Sequence, residues 1–172
     1  ATQPALNDTV RINGVTFTKV AATSGENNGY GFVNFPPQFH SGNTPPVVSA
    51  GSGIFNLLQD MDFGWTVAPN TPATMQLTGI KPGTRYEVRL YNRTWDSGPN
   101  GRKQTVTFDP DGDGPITESI TFDPDALPPN YVGYRYTAQS TVLNITVLSW
   151  GSNESLHLYG LSNEEVPNAP VE

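Results

Sequence analysis

Between Val10 and Leu161, apolar side chains recur at every second position in short runs, and each run ends in Gly, Pro, Asn, Asp or Ser. No stretch keeps the three-to-four spacing of a helix for more than about two turns. A chain patterned this way is confined to strands and tight turns. The most helix-like window, IFNLLQDMD at residues 54–62, lies between Gly53 and Gly64 and suits either a short helix or a buried strand. Seventeen Gly and sixteen Pro among 172 residues press the same way, because they weaken helix interiors and serve turns well.

Eleven runs read as strands: 10–12, 15–20, 46–50, 65–67, 73–77, 85–91, 103–108, 116–122, 131–137, 141–148 and 155–161. A single open sheet of so many strands leaves one apolar face uncovered, so the expected architecture is two packed antiparallel sheets. That is an all-β sandwich, of the jelly-roll or galactose-binding-like kind. Residues 1–163 are expected to form one domain, and the polar segment 164–172 a C-terminal linker or tail. Two stretches rich in Gly, Asn and Pro, 21–44 and 96–102, read as irregular loops. The first carries Tyr30, Phe32, Phe35 and Phe39, too many rings to leave in water, and is expected to fold back over a sheet edge or a core end.

The formal net charge of -7 argues against nucleic acid and anionic membranes as partners. No run of about 18 apolar residues is present to span a bilayer. The absence of cysteine excludes a disulfide framework, a thiolate metal site and a cysteine nucleophile. An acidic, cysteine-free β-type chain of this composition is expected of a protein secreted by a bacterium. The charge is uneven, however. Six of the nine basic residues, Lys81, Arg85, Arg89, Arg93, Arg102 and Lys103, fall within positions 81–103, opposed there only by Glu87 and Asp96.

This basic run overlaps LTGIKPGTRYEVRLYNRTW at residues 77–95, in which a Pro-Gly turn leads into a strand. Leu77, Ile80, Pro82, Gly83, Tyr86 and Val88 resemble the turn-and-strand signature of fibronectin type III and related extracellular sandwiches, carbohydrate-binding modules among them. The resemblance covers 14 residues and implies a sandwich in which the Tyr86 hydroxyl bonds back to the turn backbone, a tyrosine corner. Along the strand Tyr86, Val88 and Leu90 share one face, with Arg85, Glu87, Arg89, Tyr91, Arg93 and Trp95 on the other. The first set is expected in the core, the second in solvent. Arg85, Arg89, Tyr91, Arg93 and Trp95, with Arg102 from the neighbouring loop, are the candidate ligand-binding residues. Aromatic faces stack on sugar rings, and guanidinium forks bind carboxylate or sulfate. The bland alternative is a solvated sheet face in which Glu87 pairs with its arginines.

Asp109, Asp111 and Asp113, followed by Gly114, have the Asp-x-Asp-x-Asp-Gly spacing that surrounds a calcium ion, and calcium is the one cofactor expected. Ile120 in place of the closing glutamate and Pro110 at the second position depart from a helix-flanked calcium loop, and an acidic hairpin tip explains the same residues. Tyr134 and Tyr136 share a parity with Val132 and are expected to be buried; Tyr131 and Arg135 are expected outside. His157 reads as outward-facing or structural. No nucleophile elbow, phosphate loop or zinc signature is present. Glu87 lies among arginines that lower its pKa, the wrong direction for a general acid.

The expected function is therefore a non-catalytic carbohydrate-binding module, fused to a catalytic domain in a secreted polysaccharide-degrading protein. The basic run favours an anionic polysaccharide. A structural or adhesion domain of a bacterial surface protein is the alternative, and a small glycan hydrolase or lyase the third reading.

Overall fold

The computed structural model of the chain describes residues 9–12, 14–18, 25–27, 30–32, 38–40, 57–58, 61–65, 72–92, 103–112, 118–123, 130–149 and 155–167. The alternating runs become strands β1 (Thr9–Ile12), β2 (Val15–Thr18), β3 (Gly25–Asn27), β4 (Tyr30–Phe32), β5 (Gln38–His40), β6 (Met61–Trp65) and β7 (Ala73–Leu77). The second half adds β8 (Arg85–Asn92), β9 (Gln104–Asp109), β10 (Glu118–Phe122), β11 (Asn130–Thr137), β12 (Leu143–Ser149), β13 (Ser155–Leu158) and β14 (Gly160–Glu165). Their order in space is β10-β9-β12-β7-β4-β3 in a six-stranded sheet, β11-β8-β14 and β13-β6-β5 in two three-stranded sheets, and β1-β2 as a separate hairpin. Every pairing among the described residues is antiparallel.

The six-stranded sheet and the β11-β8-β14 sheet enclose the core between them. From the first come Met75, Leu77, Val106, Phe108, Leu143, Ile145 and Val147; from the second Tyr86, Val88, Leu90, Val132 and Tyr136. Burial of each such side chain stabilises the fold by about 1.5–3 kcal/mol before chain entropy is set against it. A run of rings stitches the layers together: Phe108 stacks on Tyr134 at 4.6 Å, Tyr134 on Tyr136 at 5.7 Å and Tyr136 on Tyr86 at 5.7 Å. The outer face of the six-stranded sheet is lined instead by hydroxyls in cross-strand pairs, Thr74 with Thr146, Thr107 with Ser119 and Thr105 with Thr121. Two-sided alternation has thus become a two-layer β-sandwich.

The tyrosine corner forms as the resemblance implied. The Thr84 N–H donates to the Lys81 carbonyl at 3.1 Å across Pro82 and Gly83, and Gly83 takes φ 80°, the left-handed value that the third position of a type II turn requires. The Lys81 N–H then donates to the Tyr86 hydroxyl oxygen at 3.2 Å. This fixes the entry of β8 and therefore which of its side chains face the core.

Three sequence expectations are corrected. Residues 21–44 are not wholly irregular, because β3, β4 and β5 lie within them and β4 extends the six-stranded sheet by pairing with β7. Gly, Asn and Pro mask the strand signal there, but Tyr30 and Phe32 keep a period of two. Residues 164 and 165, expected in the C-terminal tail, belong instead to β14, and the Val166 N–H still donates to the Arg85 carbonyl. His157 is buried, as are its neighbours Leu158 and Tyr159, so both faces of the chain are covered here and alternation no longer reports exposure. In the helix-or-strand window, Leu57 and Leu58 are buried and strand begins at Met61. The expected strand 46–50 lies outside the described residues. Among the described residues no helix is long and apolar enough to cross a membrane.

Candidate functional site

β8 is the middle strand of its sheet, so its odd-numbered side chains stand between those of β11 and β14. Register places Tyr131 opposite Tyr91, Gly133 opposite Arg89 and Arg135 opposite Glu87 on one side; Gly160, Ser162 and Glu164 take the same three positions on the other. The result is a patch three strands wide in which residues 87, 135 and 164 meet, though they are far apart in sequence.

At the centre of the patch is Glu87, only 6% exposed. The Arg89 Nε donates to its Oε1 at 2.8 Å, and the Arg135 Nε donates to its Oε2 at 2.8 Å. Both carboxylate oxygens are thus engaged by guanidinium groups. These two hydrogen bonds hold the carboxyl below the usual carboxylate range, against the opposing effect of burial. Arg89 is held strongly in its charged form, first by Glu87, and its Nη1 lies 3.6 Å from Glu164 Oε1. The expectation that the whole odd row of β8 looks into solvent is therefore wrong at Glu87. A carboxylate on a central strand with an arginine two residues along and another across the sheet is roofed by their side chains.

Arg89 and Arg135 are not equivalent. The Arg89 side chain is 28% exposed and Arg135 64% exposed. Arg89 places its guanidinium carbon 5.2 Å from the centre of the Tyr131 ring, a cation–π contact. Tyr91 is half-buried, meeting Phe17 of β2 edge-on at 5.3 Å and Tyr131 at 5.7 Å. One end of the patch is closed by apolar packing, since a Cβ on Gly160 would fall 2.8 Å from Leu57 Cδ1. Arg85, half-buried, occupies the opposite end beside Thr137.

Of the six expected ligand-binding residues, Arg85, Arg89 and Tyr91 lie on this one face; Arg93, Trp95 and Arg102 lie outside the described residues. The sequence reading left out Tyr131, Arg135 and Glu164. The signal for the first two was present in the parity of β11, but no sequence pattern says that β11 and β14 are the neighbours of β8.

At the proposed calcium loop, Asp109 ends β9 and is 8% exposed, and Asp111 is half-buried beside it. Asp109 accepts from the Gly112 N–H at 3.0 Å and from Asn144 Nδ2 at 3.4 Å, and Asn144 Nδ2 also donates to the Gly112 carbonyl at 2.7 Å. The pKa of Asp109 is raised, first by burial and then by its hydrogen bond with Asp111. This is the geometry of a carboxylate organising a turn. Asp113 lies outside the described residues, and among the described residues no three acidic or histidine side chains cluster as a metal site.

No protein-family model matches the chain, and comparison with curated proteins finds no match. Solved structures do resemble it. The Bacteroides uniformis β-glucuronidase superposes with a TM-score of 0.59 at 12% identity over 90% of this chain, which spans only 16% of that enzyme. The CBM22-1 xylan-binding domain of Paenibacillus barcinonensis Xyn10C gives a TM-score of 0.50 at 12% identity, covering 87% of this chain and 100% of that domain. Tailspike protein 4 of bacteriophage CBA120, in its enzymatically active domain, gives 0.50 at 12% identity over 86% of this chain and 21% of that one. At such identities the likeness is one of fold: a β-sandwich of the kind that carbohydrate-binding modules adopt.

Proposed function

We propose that this chain is a non-catalytic carbohydrate-binding module of a secreted polysaccharide-degrading protein, in which it accompanies a catalytic domain, and that it holds its glycan on the β8-β11-β14 face. The observation that carries this reading is that one sheet face gathers two guanidinium groups fixed by a buried carboxylate with two tyrosine rings beside them. Fixed forks donate to sugar hydroxyls, and rings stack on their apolar faces. A xylan-binding domain of the same fold is a precedent for the use of such a scaffold.

In this reading the order of ligands differs from the one the basic run favours. Arg89 and Arg135 are matched on this face by Glu87 and Glu164, so the positive potential suggested by the basic run is largely cancelled where the patch is built. Neutral glycans therefore come before anionic ones. Arg85, with Arg93 and Arg102, is the reason to test both.

Affinity gel electrophoresis against neutral and acidic polysaccharides, comparing the parent with Arg135→Ala, tests the proposal. Arg135 is the suitable position because it is exposed and its loss leaves Glu87 paired with Arg89. Retardation of the parent by at least one glycan, weakened in the variant, is expected. No retardation by any glycan defeats the reading and favours the structural or adhesion alternative, which the double engagement of Glu87 also supports. Catalysis by Glu87 is disfavoured, because a carboxyl held in its ionised form by two guanidinium groups is a poor general acid. Calcium, bound by Asp109, Asp111 and Asp113, is a separate part of the proposal. A thermal midpoint raised by calcium in the parent and not in Asp111→Asn supports it, and no calcium-dependent shift removes the ion without touching the glycan reading.

A further inference from the structure

We infer that Tyr131 is the sugar-stacking platform of the patch and that Gly133 is its seat. The inference rests on the carbohydrate-binding reading and adds to it the residue on which a pyranose ring lies.

Tyr131 is 44% exposed, and with Ile120 it is one of two large hydrophobic side chains so exposed among the described residues. Ile120 lies on β10, at the edge of the six-stranded sheet, with exposed neighbours on either side. Tyr131 differs because its exposed ring is held in place. The Arg89 guanidinium carbon is 5.2 Å from its centre and Tyr91 packs at 5.7 Å, tilted by 50°. The ring leans along β11 over Gly133, where an added Cβ would fall 3.0 Å from Tyr131 Cε2 and 3.4 Å from Cδ2. A side chain at 133 would push the ring away from this position. The missing Cβ and the arginine across the strand together make the space that the ring fills.

An exposed aromatic immobilised in this way has already lost its rotamer freedom on folding, so a ligand that stacks on it does not bear that cost again. A pyranose suits the position because it presents an apolar C–H face for the ring and hydroxyls at its rim. Arg135 lies four residues, about 13 Å, further along the same face of β11, so its guanidinium group, fixed at Nε by Glu87, is placed to meet a neighbouring sugar of a polysaccharide chain rather than the one stacked on Tyr131. Stacking of this kind is insensitive to salt, unlike capture by net charge.

The test uses Tyr131→Ala, Tyr131→Phe and Gly133→Ala beside the parent, in gels containing whichever neutral or acidic polysaccharide retards the parent most, with thermal unfolding recorded for each. Tyr131→Ala is expected to weaken binding about tenfold or more, as truncation of an interface anchor does, with little change in unfolding midpoint. Tyr131→Phe keeps the ring and is expected to bind like the parent, and Gly133→Ala to lie between the two. Parent-like binding by a folded Tyr131→Ala overturns the inference while leaving the carbohydrate-binding reading intact. Equal losses in Tyr131→Phe and Tyr131→Ala also overturn it, since the hydroxyl rather than the ring would then be responsible. A parent that binds no glycan removes the underlying reading itself.

Discussion

The buried Glu87 carboxylate is the residue on which the β8 face depends, and its energetics follow from its two partners. In Glu87→Gln the two arginines remain without their shared counter-charge. A loss of about 1–3 kcal/mol in urea unfolding is expected, the scale for an unmatched, partly buried charged hydrogen bond. The pH dependence has a definite sign. Because the native pKa of Glu87 is lowered, its contribution is complete above the unfolded value and disappears as pH falls through the native one. Asp109 acts in the opposite sense: its native pKa is raised, so stability falls as pH rises from the unfolded towards the native value. Stability measured against pH should therefore show a shallower acid limb in Glu87→Gln, whereas Asp109→Asn should remove a loss that the parent shows on deprotonation. A parallel acid limb in Glu87→Gln would contradict the clamp. Tyr136 adds an alkaline counterpart. Burial pushes its pKa up to about 12, so the folded form loses stability as pH rises from about 10 towards that value, and ultraviolet difference titration should find a late-ionising tyrosine that is lost in Tyr136→Phe.

At the scale of elements, strand positions were legible where a polar face met an apolar one. The β7 run was read with its final limits, and the limits of β8, β9 and β11 shift by no more than one residue, because each has one face in the core and the other in a more polar setting. The Pro-Gly turn was legible as well. Gly83→Ala, forcing a side chain into φ 80°, is expected to cost about 1–2 kcal/mol in chemical denaturation, and Tyr86→Phe about 0.5–1.5 kcal/mol through the lost acceptor for the Lys81 N–H. What was not legible has physical causes. The exposure of β13 residues could not be read from parity once both faces were covered, and the strands within 21–44 are three residues long and rich in residues that disfavour β structure. The candidate face was half legible: Arg89 and Tyr91 stood out on β8, but that Tyr131 and Arg135 lie beside them follows only from the pairing of β11 with β8, a long-range fact that local pattern does not encode.

For the whole molecule, the sandwich class followed from the number of two-faced strands, and the solved structures that share the fold agree with it. The strand order did not follow, because alternation says which face is apolar and nothing about which neighbour lies alongside. Net charge belongs to this scale too. With -7 overall and the described part of the patch close to neutral, glycan retardation is expected to change little between low and moderate salt, as gels run across a salt series would show. A steep loss of retardation with salt would instead point to an anionic ligand captured by the basic run.

The central position of β8 also bears on how the protein is made. Both its partners, β11 and β14, are more distal in the chain, whereas β7 has β4 before it at one edge and waits for β12 only at the other. During synthesis, β8 leaves the ribosome with neither edge satisfied and stays so until some forty residues later, acquiring its second edge only when the chain has passed residue 165. Nascent chains arrested before that point should be readily digested by protease across β8, and acquisition of resistance should be late and abrupt rather than gradual.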